Sequence, residues 1–290
     1  MNVVLESLIL GVAAAIGWGI ADFITAVVSK RLGILRAIVG VHVVSILATV
    51  GYFLAVSDVA TLSTSNWVFL VALSVIGFVI YLSFYRALQI GPVAIVSPVV
   101  SAFAVVVIIL AFIFTGERLT GIQSLAAVAS IGGIVLASVN IQSGMTMRDV
   151  VGLGVLLAFV AMFGIGVWQF GIGVLSREIG WFLPIFLGRV ITLAMFVPLA
   201  AARREWPWQR MTVPLLIGVV AIGLTETGGL FAFARGAEVG VISIVAAAAI
   251  TYPIIPMLGG LFIFKEQVTR LQFAGLGFAM VGLFLLAISG

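Results

Sequence analysis

This chain of 290 residues has no cysteine and a single histidine. The missing thiol excludes disulfides, thiolate nucleophiles and thiolate-bound metals. No HExxH, GxSxG or P-loop pattern occurs, and no pair of aspartates lies deep in facing apolar segments. That argues against an intramembrane enzyme and against direct use of ATP. No metal and no cofactor is expected. Charge is scarce too: Asp, Glu, Lys and Arg make up 8% of the chain, where a soluble domain carries roughly 25%. The net charge of +4 gathers into no basic cluster with interleaved aromatics, so no nucleic-acid partner is expected. Linkers, low-complexity tracts and soluble domains are missing, and with them the extramembrane domain that a receptor or scaffold would use. The apolar start lacks a basic n-region and a small-residue cleavage site, so the first span is expected to be retained.

What is present is apolar. Hydrophobic residues make up 63% of the chain, and the mean hydropathy is +1.37. A water-soluble globule of this composition could not cover its surface with polar groups. In lipid every backbone N–H and C=O must be satisfied internally, which leaves helices or closed barrels. Barrel strands alternate apolar and polar over about ten residues. Here the apolar runs last about 20 residues, the length a helix needs to cross the hydrocarbon core. The sequence therefore predicts an all-α membrane protein with ten transmembrane helices, near 4–28, 35–56, 67–88, 93–114, 121–140, 150–175, 181–201, 213–235, 241–264 and 270–289. A multi-pass protein of the cell (inner or plasma) membrane is expected.

The spans repeat. An ungapped shift of 149 residues aligns Phe84 with Phe233, Arg86 with Arg235, Gly91 with Gly240, Glu117 with Glu266, Thr120 with Thr269 and Gln123 with Gln272. Nearer the start, a shift of 147 aligns Gly17 with Gly164, Ser29 with Ser176 and Gly33 with Gly180. Apolar matches arise by chance in such a chain; matches at Arg, Glu, Thr and Gln in one register do not. The halves are 1–144 and 145–290, with five spans each. An odd number of spans inverts the second half, giving two inverted five-helix repeats, as in many secondary transporters.

The stretch YRALQIGPVAIVSPVV from Tyr85, the turn TGERLTGIQ from Thr115 and AIGWGIADF in the first span resemble the drug/metabolite transporter superfamily, EamA type. In the second half the turn has drifted to Lys265-Glu266-Gln267-Val268-Thr269, where only the glutamate and threonine are kept. The resemblance implies two EamA-like units and an exporter or exchanger of amino acids, metabolites or drugs. Glu117 and Glu266 each stand between two spans, where a carboxylate near a helix start favours a capped turn.

Ten basic residues fall in the loops after spans one, three, five, seven and nine or at their edges: Lys30, Arg31, Arg36, Arg86, Arg148, Arg203, Arg204, Arg210, Lys265 and Arg270. Only Arg118, Arg177 and Arg235 fall in the other set. The positive-inside rule puts the first set in the cytoplasm and both termini outside.

An ionisable group in mid-membrane costs at least about 2.5–3.5 kcal/mol. Four stand out: Asp22, His42, Arg189 and Glu226. Under the 147 shift Asp22 corresponds to Gln169 and His42 to Arg189, so polar positions recur in both halves, as a shared central cavity requires. Two readings stand side by side. The residues form buried pairs, Arg189 with Glu226 or Asp22, that hold helices together; or they handle a solute or a proton at the midplane, where a carboxylate away from water takes up a proton more readily. The lone His42 fits either a hydrogen-bonded core position or the site. Trp18, Tyr81, Tyr85, Phe103, Trp168 and Tyr252 suit a cavity for apolar or aromatic solutes and amines, while Trp67, Trp181, Trp206 and Trp208 suit an interfacial belt. Ser97, Pro98 and Ser101 mark a kink-prone fourth span, and Thr251, Pro253 and Pro256 do so in the ninth.

The expected substrate-binding set is Trp18, Asp22, His42, Tyr81, Ser97, Ser101, Trp168, Gln169, Arg189, Glu226 and Tyr252. The expected activity is secondary active transport of a small solute by alternating access between the repeats. A passive channel or a non-transporting scaffold is the alternative, although no filter or ring of like polar groups is visible. Expected partners are a small-molecule solute, the lipid bilayer and a proton or counter-substrate, with the chain acting as a monomer or homodimer.

Overall fold

The structure, a computed structural model, describes residues 3–56, 62–90, 99–138 and 153–256, with 270–271, 274–275, 277–278, 281–282 and 285 beyond them. These described residues are all-helical. The elements are α1 (Val3–Leu32), α2 (Ile34–Val56), α3 (Thr64–Ile90), α4 (Phe103–Leu110) with a π-helical turn Ala111–Thr115, and α5 (Gly121–Ser138). Then follow α6 (Leu153–Ile179), α7 (Phe182–Arg203), a 3-10 turn Pro207–Arg210, α8 (Val213–Val239) and α9 (Ile242–Ala249). Six of them (α1, α2, α3, α6, α7 and α8) are long and apolar enough to cross a membrane, and shorter apolar helical stretches lie at Val99–Phe114, Gly121–Gly133 and Ile242–Pro256. Of the expected tenth span and the 141–149 connection, the former is described at a few positions and the latter lies outside the described residues.

The bundle turns its apolar side outward. Leu54, Val68, Phe112, Ile113, Phe114 and Ile217 are exposed, while His42, Ser45, Gln169, Arg189 and Thr227 are buried. In water that distribution would be unstable; against hydrocarbon it places polar groups where other helices satisfy them. Thr227 Oγ1 donates to Ser45 Oγ at 2.7 Å, for example, joining α8 to α2.

Helix directions follow from contacts at the ends. The Val241 N–H, just past α8, donates to Ser7 Oγ near the start of α1 at 3.0 Å. Hence α1 and α8 run antiparallel. Arg177, in the last turn of α6, meets Glu117 between α4 and α5 at 2.7 Å. It also donates through Nη2 to the Gly240 carbonyl at 2.9 Å. These groups form one clamped end of the bundle. The α1–α2 turn and the ends of α3 and α7 lie at the other, which carries Lys30, Arg31, Arg36, Arg86, Arg203 and Arg204.

The packing pairs include α1 with α8 and α3 with α6, α1 with α9 and α4 with α6, α2 with α8 and α3 with α7, and α2 with α7 and α4 with α9. Exchanging α1 with α6, α2 with α7, α3 with α8 and α4 with α9 maps this set onto itself. Glycines let the first pairs approach. A Cβ on Gly17 would lie 2.5 Å from the Thr225 carbonyl oxygen in α8, and one on Gly171 of α6 would lie 2.6 Å from a Leu73 methyl in α3. A side chain at Gly17 would push the two backbones apart, and one at Gly171 would displace the Leu73 side chain. The tight α1–α2 and α6–α7 turns use Gly33 at φ +97° and Gly180 at φ +82°, a left-handed conformation that glycine adopts without steric cost.

Two local expectations acquire detail. The ninth segment does break, at a turn over 250–253, and the fourth is interrupted at Ala102, the position equivalent to Thr251. Ser97 and Pro98 lie outside the described residues. The turn before α5 is capped, but not by Glu117. Thr120 and Gln123 cap α5 reciprocally: the Gln123 N–H donates to Thr120 Oγ1 at 3.2 Å, and the Thr120 N–H to Gln123 Oε1 at 3.0 Å. Glu117 instead caps α9, accepting from the Ile242 N–H at 3.3 Å, the Ser243 N–H at 3.1 Å and Ser243 Oγ at 3.0 Å. Distance along the chain hid this partner. Glu266 lies outside the described residues.

Candidate functional site

A cavity of about 110 Å³ lies between the halves of the bundle. Helical periodicity selects its walls. From α1 come Trp18, Ala21, Asp22 and Thr25, spaced i, i+3, i+4, i+7; from α3 come Gly77, Tyr81, Phe84 and Tyr85, spaced i, i+4, i+7, i+8. In α6, Ile165, Trp168 and Gln169 share a face, and Glu226 and Leu230 do so in α8. Phe103 at the start of α4 and Tyr252 in the turn after α9 complete the aromatic wall, their rings stacked with centroids 6.4 Å apart.

The lining obeys the repeat. Under the two sequence shifts Trp18 pairs with Ile165, Ala21 with Trp168, Asp22 with Gln169, Gly77 with Glu226, Tyr81 with Leu230 and Phe103 with Tyr252. All twelve residues face the same cavity. Equivalent positions of α1 and α6, of α3 and α8, and of the fourth and ninth segments thus meet at one place.

Charge inside the site is unevenly matched. Arg189 of α7, 5% exposed, pairs with Glu226 of α8, 17% exposed, at 2.8 Å. Tyr81 joins them: its hydroxyl donates to Glu226 Oε1 and accepts from Arg189 Nη1 at 2.5 Å. The guanidinium also stands 5.6 Å from the Tyr81 ring centre. Of the two pairings considered for Arg189, the structure contains the one with Glu226. Asp22 forms no ion pair among the described residues. The cavity therefore holds one carboxyl group, that of Asp22, with no cationic partner among the described residues, within walls of Trp18, Tyr81, Tyr85, Trp168 and Tyr252.

Of the eleven residues singled out from the sequence, Trp18, Asp22, Tyr81, Trp168, Gln169, Glu226 and Tyr252 line the cavity. Arg189 reaches it through Tyr81 and Glu226. His42 stands behind Tyr81, ring centres 4.7 Å apart, and its Nδ1 donates to the Ile38 carbonyl at 2.9 Å. That bond puts a proton on Nδ1, and Nε2 is buried with no hydrogen-bond partner among the described residues. His42 thus supports a wall rather than forming one. Ser101 is buried in the fourth segment beside Phe103 and off the cavity surface. Ser97 lies outside the described residues. Ala21, Thr25, Gly77, Ile80, Phe84, Val100, Ile165 and Leu230 also line the cavity and are not in that set. Thr25 continues the Trp18–Asp22 face by helical spacing, and counting three and four residues from Trp18, Tyr81 and Glu226 reaches Ala21, Gly77, Phe84 and Leu230.

Comparison with known proteins agrees with this architecture. A protein of solved crystal structure superposes with a TM-score of 0.78 over 98% of this chain and 96% of its own, at 15% sequence identity, which establishes a shared fold. Among curated proteins none matches. Residues 5–139 match the EamA-like transporter family, a family of membrane transporters of small solutes rather than of enzymes. With its membrane-spanning helices the chain is a multi-pass membrane protein. The resemblance noted at Tyr85–Val100 and Thr115–Gln123 is borne out by this match, which covers residues 5–139 and is to an EamA-like transporter family.

Proposed function

We propose that the chain is a secondary active transporter of a small solute, built of ten spans in two inverted EamA-like units, 1–144 and 145–290. The observation that carries this reading is the cavity whose walls come from equivalent positions in both units. A site on the axis relating two inverted halves can be opened to one side by one half and to the other side by its counterpart. Repeat-matched packing and the paired turns at Gly33 and Gly180 support the same exchange. The clamped end closes one side, through Ser7, Glu117 and Arg177. Asp22, Thr25, Tyr81 and Tyr85 lie between the bundle centre and the basic end. By the positive-inside rule the basic end is cytoplasmic and both termini are outside, in the cell membrane.

The cargo that fits is an amine or other cation with an apolar or aromatic body. Asp22 supplies an unmatched carboxylate, and the aromatic faces attract a cation. A proton or a counter-substrate drives the cycle.

Proteoliposomes test this. Uptake of aromatic amines is expected to be saturable and stimulated by unlabelled amine trapped inside. Asp22→Asn is expected to lower that uptake at least tenfold while the protein still inserts and purifies. Uptake that neither saturates nor responds to trapped amine would mean a passive facilitator, and undiminished uptake by Asp22→Asn would remove the carboxylate from the site.

A further inference from the structure

A second cavity, of about 640 Å³, opens at the basic end, between the first turn of α2, the end of α3 and the end of α7. Its cationic groups are Arg36, Arg86 and Arg203, and its one acid is Glu205. Among the described residues none of the three arginines belongs to an ion pair. Arg86 spends one donor on the neutral Gln89 Oε1 at 2.5 Å. Arg36 Nε is buried with no hydrogen-bond partner. Leu35, Leu82 and Leu199 provide an apolar wall beside these charges.

The other half of the molecule shows that this charge is not a requirement of the fold. The position equivalent to Arg36 is Leu183, and that equivalent to Arg203 is Val56. Arg86 is repeated as Arg235, but there the neutral Gln89 is replaced by Glu238, which pairs with Arg235 at 2.5 Å. At the equivalent positions the same helical framework thus carries one arginine, ion-paired with Glu238, whereas here three guanidiniums without an ion pair among the described residues share a cavity with one acid. A guanidinium presents forked donors that match the oxygens of a phosphate. We infer that this cavity is a binding site for a phosphate-bearing anion, distinct from the solute cavity and independent of what that cavity carries. The leucine wall beside the arginines favours an anionic phospholipid as its source, headgroup on the arginines and glycerol backbone on Leu82 and Leu199. Basic pockets between transmembrane helices at the cytoplasmic side recognise headgroups in this way.

The test uses the full chain purified in a neutral detergent, with binding followed by native mass spectrometry and by the melting temperature. Phosphatidylglycerol is expected to bind and to raise the melting temperature, and phosphatidylcholine, whose headgroup is zwitterionic, to do neither. The triple variant R36Q/R86Q/R203Q is expected to weaken phosphatidylglycerol binding at least tenfold. Arg86→Gln and Arg203→Gln alone, both at exposed side chains, are expected to weaken it at least threefold each and serve if the triple variant does not fold. Arg204→Gln and Arg210→Gln, outside the cavity, are expected to leave it unchanged. Glycerol 3-phosphate separates the two sources. If it binds as tightly as the lipid and loses binding in the same variants, the phosphate site stands with a soluble ligand. Equal binding of phosphatidylglycerol by the wild type and the arginine variants overturns the proposal, as does equal binding of phosphatidylcholine.

Discussion

Among the described residues two arginine–glutamate pairs join separate segments, and they differ in what surrounds them. Arg189–Glu226 lies at the centre, with the arginine 5% exposed, and among the described residues the Tyr81 hydroxyl is its further hydrogen-bond partner. Arg177–Glu117 lies at the clamped end, with the arginine 33% exposed, and both partners bond backbone as well. Glu117 accepts from the first N–H groups of α9, and Arg177 donates to the Ala237 and Gly240 carbonyls at 3.0 and 2.9 Å. The first pair balances charge beside a cavity. The second completes the hydrogen bonding of the α8–α9 turn. A buried pair with few neighbours leaves an isolated charge when one member is removed, whereas the Arg177 left behind by Glu117 is a third exposed and keeps two backbone carbonyls as partners.

The largest effect is therefore expected at the centre. Arg189→Met strands the Glu226 carboxylate away from water and should destabilise by about 3–5 kcal/mol, read as a fall in melting temperature, with transport abolished. If it melts near the wild type and still transports, the pair is dispensable and the contrast fails. Glu117→Ala comes next. It removes the acceptor for Ile242, Ser243 and Arg177, so a loss of about 1–3 kcal/mol is expected; a cysteine placed near Gly240 should also become more accessible to a membrane-impermeant thiol reagent. Unchanged labelling would mean that Glu117 stabilises the turn without closing that end.

Tyr81→Phe keeps the ring against His42 and Arg189 but removes the bridging hydroxyl. About 1 kcal/mol is expected, along with a larger fall in transport than in melting temperature. A proportional fall in both would make Tyr81 a structural residue. The smallest effect belongs to the pair Arg235–Glu238, whose arginine is 47% exposed. Glu238→Gln should change stability by no more than about 0.5 kcal/mol, and a larger change would mean that exposure is a poor guide at these helix ends.

Much of this was legible in the sequence because lipid constrains it. The apolar runs marked α1, α2, α3, α6, α7 and α8, since nothing else satisfies a backbone in hydrocarbon. Asp22, Arg189 and Glu226 stood out because a mid-membrane charge needs a reason. The repeat makes Gly33 and Gly180 equivalent, and both are left-handed turn residues. Other features left no local trace. Glu117 reads as the cap of the next helix, and only tertiary packing directs it to α9. Phe84, Ile165 and Leu230 look like any lipid-facing residue, because hydrophobicity in a membrane protein does not tell outside from inside. His42 looked like a site residue because its chemistry fits. Its bond to Ile38 in the preceding turn and its place behind Tyr81 depend on how the helix is rotated, which composition does not encode.

The inequality of Asp22 and Gln169 has a consequence for the cargo. A cavity with identical walls across its axis would admit a molecule head first or tail first with equal ease. Here one wall offers a carboxylate and the equivalent wall a neutral amide. A molecule with a positive head and an apolar tail is then held in one sense, and a difference of about 1.4 kcal/mol between the two senses already favours one of them tenfold. Its head would keep to α1 throughout passage, so cargo of equal size with charge at both ends would be handled differently from cargo with charge at one.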